Sequence, residues 1–177
     1  KNIPGMEMYA QAARCYLQNQ ELSNASNVDY AKIRDHYMAE NIDWIYEHVQ
    51  EANESMLMIS GHNGHVAKKS TYTTFMGEEL FEKYGDDYFV IGTDFYKTEC
   101  NLPGKNGKRI TRKFYSADPL ANTAYALGMD MTYLDFDKLQ KSEKIKKIIN
   151  QSMLMGSLGE GYSFLNKLLP NSYRIND

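Results

Sequence analysis

The sequence predicts an α/β protein: a largely parallel sheet flanked by helices, with a helical N-terminal segment and a β-hairpin extension. Three observations carry this. Apolar residues recur at three- and four-residue steps between residues 30 and 49. Two short apolar runs, "MLMI" at 56–59 and "YFVIG" at 88–92, then lack that period. Helical and extended patterns alternate from there towards the end of the chain. A sheet of three or four strands behind a pair of helices looks incomplete. The chain therefore reads as a single domain, residues 1–177, that is a fragment of a larger fold.

Taking the elements in order, Met6 to Leu22 is rich in helix formers and holds no Gly or Pro. In "DYAKIRDHYMAENIDWIYEHVQEAN", residues Tyr30, Ile33, Tyr37 and Trp44, with Met38, Ile42, Ile45 and Val49 beside them, make an apolar face. Asn27 or Asp29 is placed to cap that helix by accepting free backbone N–H groups. Met56–Ile59 is short and apolar throughout, as in a strand buried on both faces. "TTFMGEELFEKYGDD" reads as a helix with Thr73 or Thr74 as cap and Gly85 as stop. "YFVIGTDFY" is a strand, and Asn106-Gly107 offers a tight turn between Thr93–Thr98 and Ile110–Tyr115. A short helix from Pro119 to Leu127 ends at Gly128; "MDMTYLDF" is a further strand, and Asp137 to Gln151 a charged helix. A glycine-rich loop, Gly156–Gly161, leads into the tail; a helix precedes it, so it lacks the strand that a phosphate-binding fingerprint requires.

Composition narrows the function classes. With 42% hydrophobic and 24% charged residues the chain is ordinary globular material. A net charge of −3 argues against a general nucleic-acid binder. No apolar run approaches the roughly 18 residues of a membrane span. Cys15 and Cys100 stand far apart and form no disulfide framework, which suits a reducing, cytoplasmic setting. The basic hairpin, with Lys105, Lys108, Arg109, Arg112 and Lys113, reads as a solvated sheet edge guarded by charge.

The chemistry concentrates in "SGHNGH", where the Met56–Ile59 strand should end. In open α/β sheets ligands gather at such strand ends. His62 and His65 are then candidates for base, acid, oxyanion donor or metal ligand, because imidazole titrates near neutrality. The alternative is that one histidine caps the next helix and the other is solvated. A zinc site needs at least three protein ligands. No third ligand is apparent: His36 and His48 lie twelve positions apart on the long helix and point in different directions. Neither a metal nor a cofactor is expected.

Three segments together resemble the erythromycin esterase-like family. "RDHYMAENIDW" is similar to its Arg-Asp-x-x-Met-Ala-x-Asn-x-x-Trp helix, "GHNGHVAK" to its His-Asn-x-His-Val signature, and "MGEELFEKYGDDYFVIGTDFY" to the Met-Gly-x-x-Leu segment that follows. The resemblance implies an α/β fold and metal-independent hydrolysis of an ester or macrolide lactone by activated water. It implies active-site roles for His62 and His65, with Asn63, Arg34 and Asn41 lining the substrate cleft. The family's water-activating histidine and its glutamate lie in an amino-terminal Gly-Glu…His segment that these residues lack. The chain thus corresponds to the carboxyl-terminal part, and hydrolysis is expected of the full-length protein rather than of this fragment. Some family members carry the label of succinoglycan biosynthesis proteins. The other class to weigh is accordingly a non-catalytic binding or polysaccharide-assembly protein of the same fold. The expected partner is a small-molecule ester or lactone, with no nucleic acid and no membrane.

Overall fold

In the computed structural model, which describes residues 5–51, 56–70, 73–103, 108–116 and 118–151, the chain divides into two compact units, Lys1–Gly92 and Thr93–Asp177. The first unit opens with α1, Met6–Asn24, and α2, Tyr30–Glu51. Ser26, rather than Asn27 or Asp29, organises the start of α2. Its hydroxyl accepts from the Asp29 N–H, and its carbonyl accepts from the Tyr30 N–H. The two helices meet through polar groups: Gln11 donates to the Asn41 side chain at 2.6 Å, and Asn41 donates to Gln18 at 3.0 Å.

A single helical turn, α3, Asn63–Val66, and a longer helix, α4, Met76–Tyr84, follow, and a 3-10 turn, Gly85–Asp87, completes this unit's helices among the described residues. Ala39 of α2 packs against Met76 and Leu80 of α4, with Met38, Ile42, Ile59, Val66, Tyr84 and Tyr88 around them. Burial of a side chain such as Leu80 is worth about 1.5–3 kcal/mol, so even these few contacts contribute substantially to the adhesion between α2 and α4. Gly85 stops α4 with φ 56, a backbone conformation that side chains disfavour. Neither Thr73 nor Thr74 caps α4. Its first N–H, that of Met76, instead finds the side chain of Asp35 on α2.

The expected largely parallel sheet is a point of correction. Among the described residues the only sheet has two antiparallel strands, and both belong to the second unit. Residues 56–60 and 88–95 have no strand ladder. The reason is visible in their exposure. Leu57 and Ile59 face a cavity of about 60 Å³ shared with Ile42, Leu80 and Tyr88, whereas Met56 and Met58 are 83% and 90% exposed. Phe89 and Ile91 are likewise open to solvent. These runs have the composition of strands covered on both faces, but one face here is bare and their backbones pair with no neighbouring strand.

In the second unit, β1, Lys97–Pro103, pairs with β2, Arg109–Tyr115, in the register Lys97↔Tyr115 to Pro103↔Arg109. The hairpin is where the sequence places it, though its first strand begins at Lys97 rather than Thr93; Asn106-Gly107 lies outside the described residues. Leu102 and Phe114, buried on one face, anchor it. Lys113 faces Glu99 at 3.3 Å and Arg109 donates to Asn101, so both basic side chains have a partner on the opposite strand of the hairpin. Helix α5, Pro119–Ala126, is capped by Asp118, whose carboxylate accepts from the Leu120 and Ala121 N–H groups; Gly128 follows with φ 72. The expected helix 137–151 is two short ones, α6, Phe136–Leu139, and α7, Glu143–Ile149. Asp135 and Ser142 occupy the two N-cap positions, which divides the segment. Of "MDMTYLDF", residues 129–135 form no strand ladder and Phe136 opens α6, and the glycines at 156–161 lie outside the described residues.

Two predictions follow from this packing. A Cβ added at Gly77 would lie 2.5 Å from the Val66 carbonyl oxygen and 2.6 Å from that of Ala67, both rigid backbone atoms. Gly77→Ala is therefore expected to cost about 1–3 kcal/mol, read as a lowered urea midpoint with the slope unchanged. In the second unit, Asp94 is exposed as a residue, but its carboxyl is desolvated where it meets Asp118. Burial first, and the Asp118 carboxylate second, raise its pKa to about 6. Between about pH 4, where an unfolded Asp titrates, and pH 6, the folded state keeps a proton that the unfolded chain has lost. The stability this group contributes is thus full at low pH and disappears as pH rises through 6. Comparing urea unfolding of the unsubstituted chain and Asp94→Asn from pH 4 to 7 isolates it: their difference should change across that window and be flat above it.

Candidate active site

The site is built from the middle of α2. Asp35 sits in register with Met38, Ala39 and Ile42, on the face that α2 turns to the core, and is fully buried. Its neighbour Arg34 is half-exposed, with 41% of its side chain open to solvent. The chain arrives opposite them as the extended residues 56–62. His62 occupies the N-cap position of α3, and its carbonyl accepts from the His65 N–H at 2.9 Å, closing the short turn.

That turn aims His65 at Asp35. Nδ1 of the ring lies 2.6 Å from Oδ1 of Asp35, and the same oxygen accepts the Met76 N–H at 3.2 Å. On the other side of the ring, Nε2 lies 3.4 Å from Nη1 of Arg34, which is also 3.7 Å from Oδ2 of Asp35. The rings of Phe75 and His65 make a T-shaped contact, 5.7 Å between centroids and 75° between planes. Three further contacts fix the turn's backbone: Val66 packs on the core, Gly77 abuts Val66 and Ala67, and the Tyr88 hydroxyl donates to the Val66 carbonyl at 2.9 Å.

The other residues singled out in the sequence are spread around this point. His62 is exposed, its ring centroid 6.1 Å from that of His65, so one substrate could touch both. Asn63 opens α3 between them and is half-buried. Asn41 lies elsewhere, in the contact between α1 and α2, with its amide engaged by Gln11 and Gln18. An open groove of about 580 Å³ flanks α2 and α4, but its charges are largely paired: His36 with Glu79 at 2.9 Å and Lys83 with Asp43 at 2.8 Å. Burial, with the hydrogen bond to Asp43, pushes the Tyr84 phenol beside that pair up to about 12. Among the described residues no three His, Cys, Asp or Glu side chains converge as metal ligands.

Asp35 is the residue the sequence reading missed. Its signal was present: a lone carboxylate at positions i, i+3, i+4, i+7 with Met38, Ala39 and Ile42 must either be exposed or have a partner.

A model of the erythromycin esterase family matches residues 5–173. The chain belongs to the erythromycin esterase family. No curated protein and no solved structure matches it. In this erythromycin esterase family member the three resembling segments converge on one cluster. Arg34 and Asp35 come from the first, His65 and Val66 from the second, and Met76 and Gly77 from the third. No helix of the described residues is long and apolar enough to cross a membrane.

Proposed function

We propose that the protein is an esterase-like hydrolase that cleaves an ester or lactone bond of a small molecule with water. The observation that supports this best is the pairing of His65 with the buried Asp35 and with Arg34, inside the loop that carries the family signature. Ester hydrolysis has to orient a water molecule and stabilise the tetrahedral oxyanion. His62 and His65 are suited to either task, and Arg34 is a fixed cation beside them. Asn63 and Arg34 line the substrate side; Asn41 contributes by holding α1 against α2. The resemblance to the family assigns the general base to a Gly-Glu…His segment. The cysteines, both unpaired, fit a reducing compartment such as the cytoplasm.

The test is turnover of a panel of lactones and simple esters by the intact protein, with and without chelator. Loss of a single oxyanion donor typically lowers turnover by about 10²–10³-fold. His62→Ala and His65→Ala are each expected to lose at least about that much, with chelator making no difference. Turnover unchanged in both variants would remove the two histidines from the reaction, and no turnover of any lactone or ester by the unsubstituted intact protein would sink the hydrolase reading and leave the non-catalytic binding role.

A further inference from the structure

Three groups around His65 constrain where its proton sits. The guanidinium of Arg34 has donors only and no lone pair to offer. Its Nη1 lies 3.4 Å from Nε2 of His65, a contact that is favourable when Nε2 carries a lone pair and unfavourable when it carries hydrogen. The proton then resides on Nδ1, 2.6 Å from Oδ1 of Asp35, slightly closer than the roughly 2.7–2.9 Å usual for N–H bonds to a carboxylate. Oδ1 receives the Met76 N–H as well, so it acts as acceptor towards both neighbours. Neither carboxylate nor ring is free to turn. Asp35 is fully buried within α2, and the α3 turn is held by Val66, Gly77 and Tyr88.

We propose that Asp35 is the positioning residue of His65. It holds the ring in the Nδ1–H tautomer, so that His65 meets a reacting water as a hydrogen-bond acceptor through Nε2 while Arg34 is the donor to the oxyanion. This rests on the hydrolase reading and divides the two tasks that reading left shared. An imidazole protonated on Nδ1 has nothing to donate from Nε2. It holds a water by one O–H and leaves the oxygen lone pairs facing outward to the ester carbon. The donor needed at the carbonyl oxygen is then Arg34, which is half-exposed and keeps further N–H groups beyond the one beside Nε2. As substrate enters, the guanidinium exchanges its contact with Nε2 for the carbonyl oxygen and frees the lone pair for the water. The same carboxylate serves the fold by satisfying the first N–H of α4, so structural and positioning roles have to be separated by the measurement.

Nitrogen-15 NMR of the full labelled chain at neutral pH reads the tautomer without any substrate. The expected result is a pyrrole-like Nδ1 and a pyridine-like Nε2 on His65, with the Nδ1 proton far downfield. In Asp35→Ala the ring is expected to shift to the Nε2–H form that free imidazole side chains favour. In Asp35→Asn, which keeps the shape and weakens the acceptor, the Nδ1 proton should move upfield. A role confined to capping α4 would alter the Met76 amide and leave the ring signals in place. In the intact protein Asp35→Ala should lower kcat by about 10²–10⁴-fold with KM changed far less. An Nε2-protonated His65 in the unsubstituted chain overturns the proposal whether or not either variant folds, and so does an unchanged tautomer in folded Asp35→Ala. The two readings fail separately. No turnover by the unsubstituted intact protein removes the hydrolase and leaves the tautomer result standing, whereas a wrong tautomer removes the positioning role and leaves hydrolysis intact.

Discussion

A carboxylate fully removed from water is expensive unless hydrogen bonds replace the lost solvent, and Asp35 is such a group. Its Oδ1 accepts from two other elements at once, the ring N–H of His65 on α3 and the backbone N–H of Met76 at the start of α4, while Oδ2 has no hydrogen bond and faces the Arg34 guanidinium at 3.7 Å. Replacing the side chain with an apolar one would leave the Met76 N–H without this partner and release the His65 ring, which is costlier than never having made the bonds. The relative placement of α2, α3 and α4 therefore hangs on this one side chain. The apolar contacts of Ala39, Met76 and Leu80 hold the helices together, but non-directional attraction alone does not specify an ångström-scale register.

Rigid surroundings then turn that register into chemistry. Gly77 lets α4 approach the Val66–Ala67 backbone more closely than any side chain would permit. Tyr88 pins the Val66 carbonyl from the far side. A histidine on a loop would ordinarily sample several rotamers; here the loop is a single helical turn held from three directions. Arg34, by contrast, is anchored through its backbone in α2 and keeps a half-exposed head. The cluster thus combines one immobile group with one whose head is half-exposed.

Features decided by neighbouring residues were legible in the sequence. Helix α2, the Gly85 stop, the hairpin between 97 and 115 and the Pro119–Ala126 helix all follow from local propensity and backbone conformation. Features decided across long separations were not. The cap of α4 comes from Asp35, forty-one positions earlier, so Thr73 and Thr74 looked like the natural candidates. The sheet is the sharper case. Apolar composition shows that Met56–Ile59 suits a buried strand, but a ladder requires a second strand that composition cannot name, and no ladder forms here among the described residues. His62 and His65 stood out because glycines and a preceding apolar run frame them. Asp35 did not, since in a helix with so many charges a buried acid looks like any other until its register is counted.

The outward faces of residues 56–60 carry one more implication. Met56 and Met58 project into solvent while Leu57 and Ile59 turn to the core. Thioethers are the apolar groups most readily oxidised, and conversion to sulfoxide makes them polar. Because the two sulfurs lie opposite the packed side, that conversion would make the segment more compatible with water while sparing the contacts that hold it. Oxidative damage at these positions would accordingly leave the His65 cluster in place and reduce the tendency of the bare apolar face to stick to others like it.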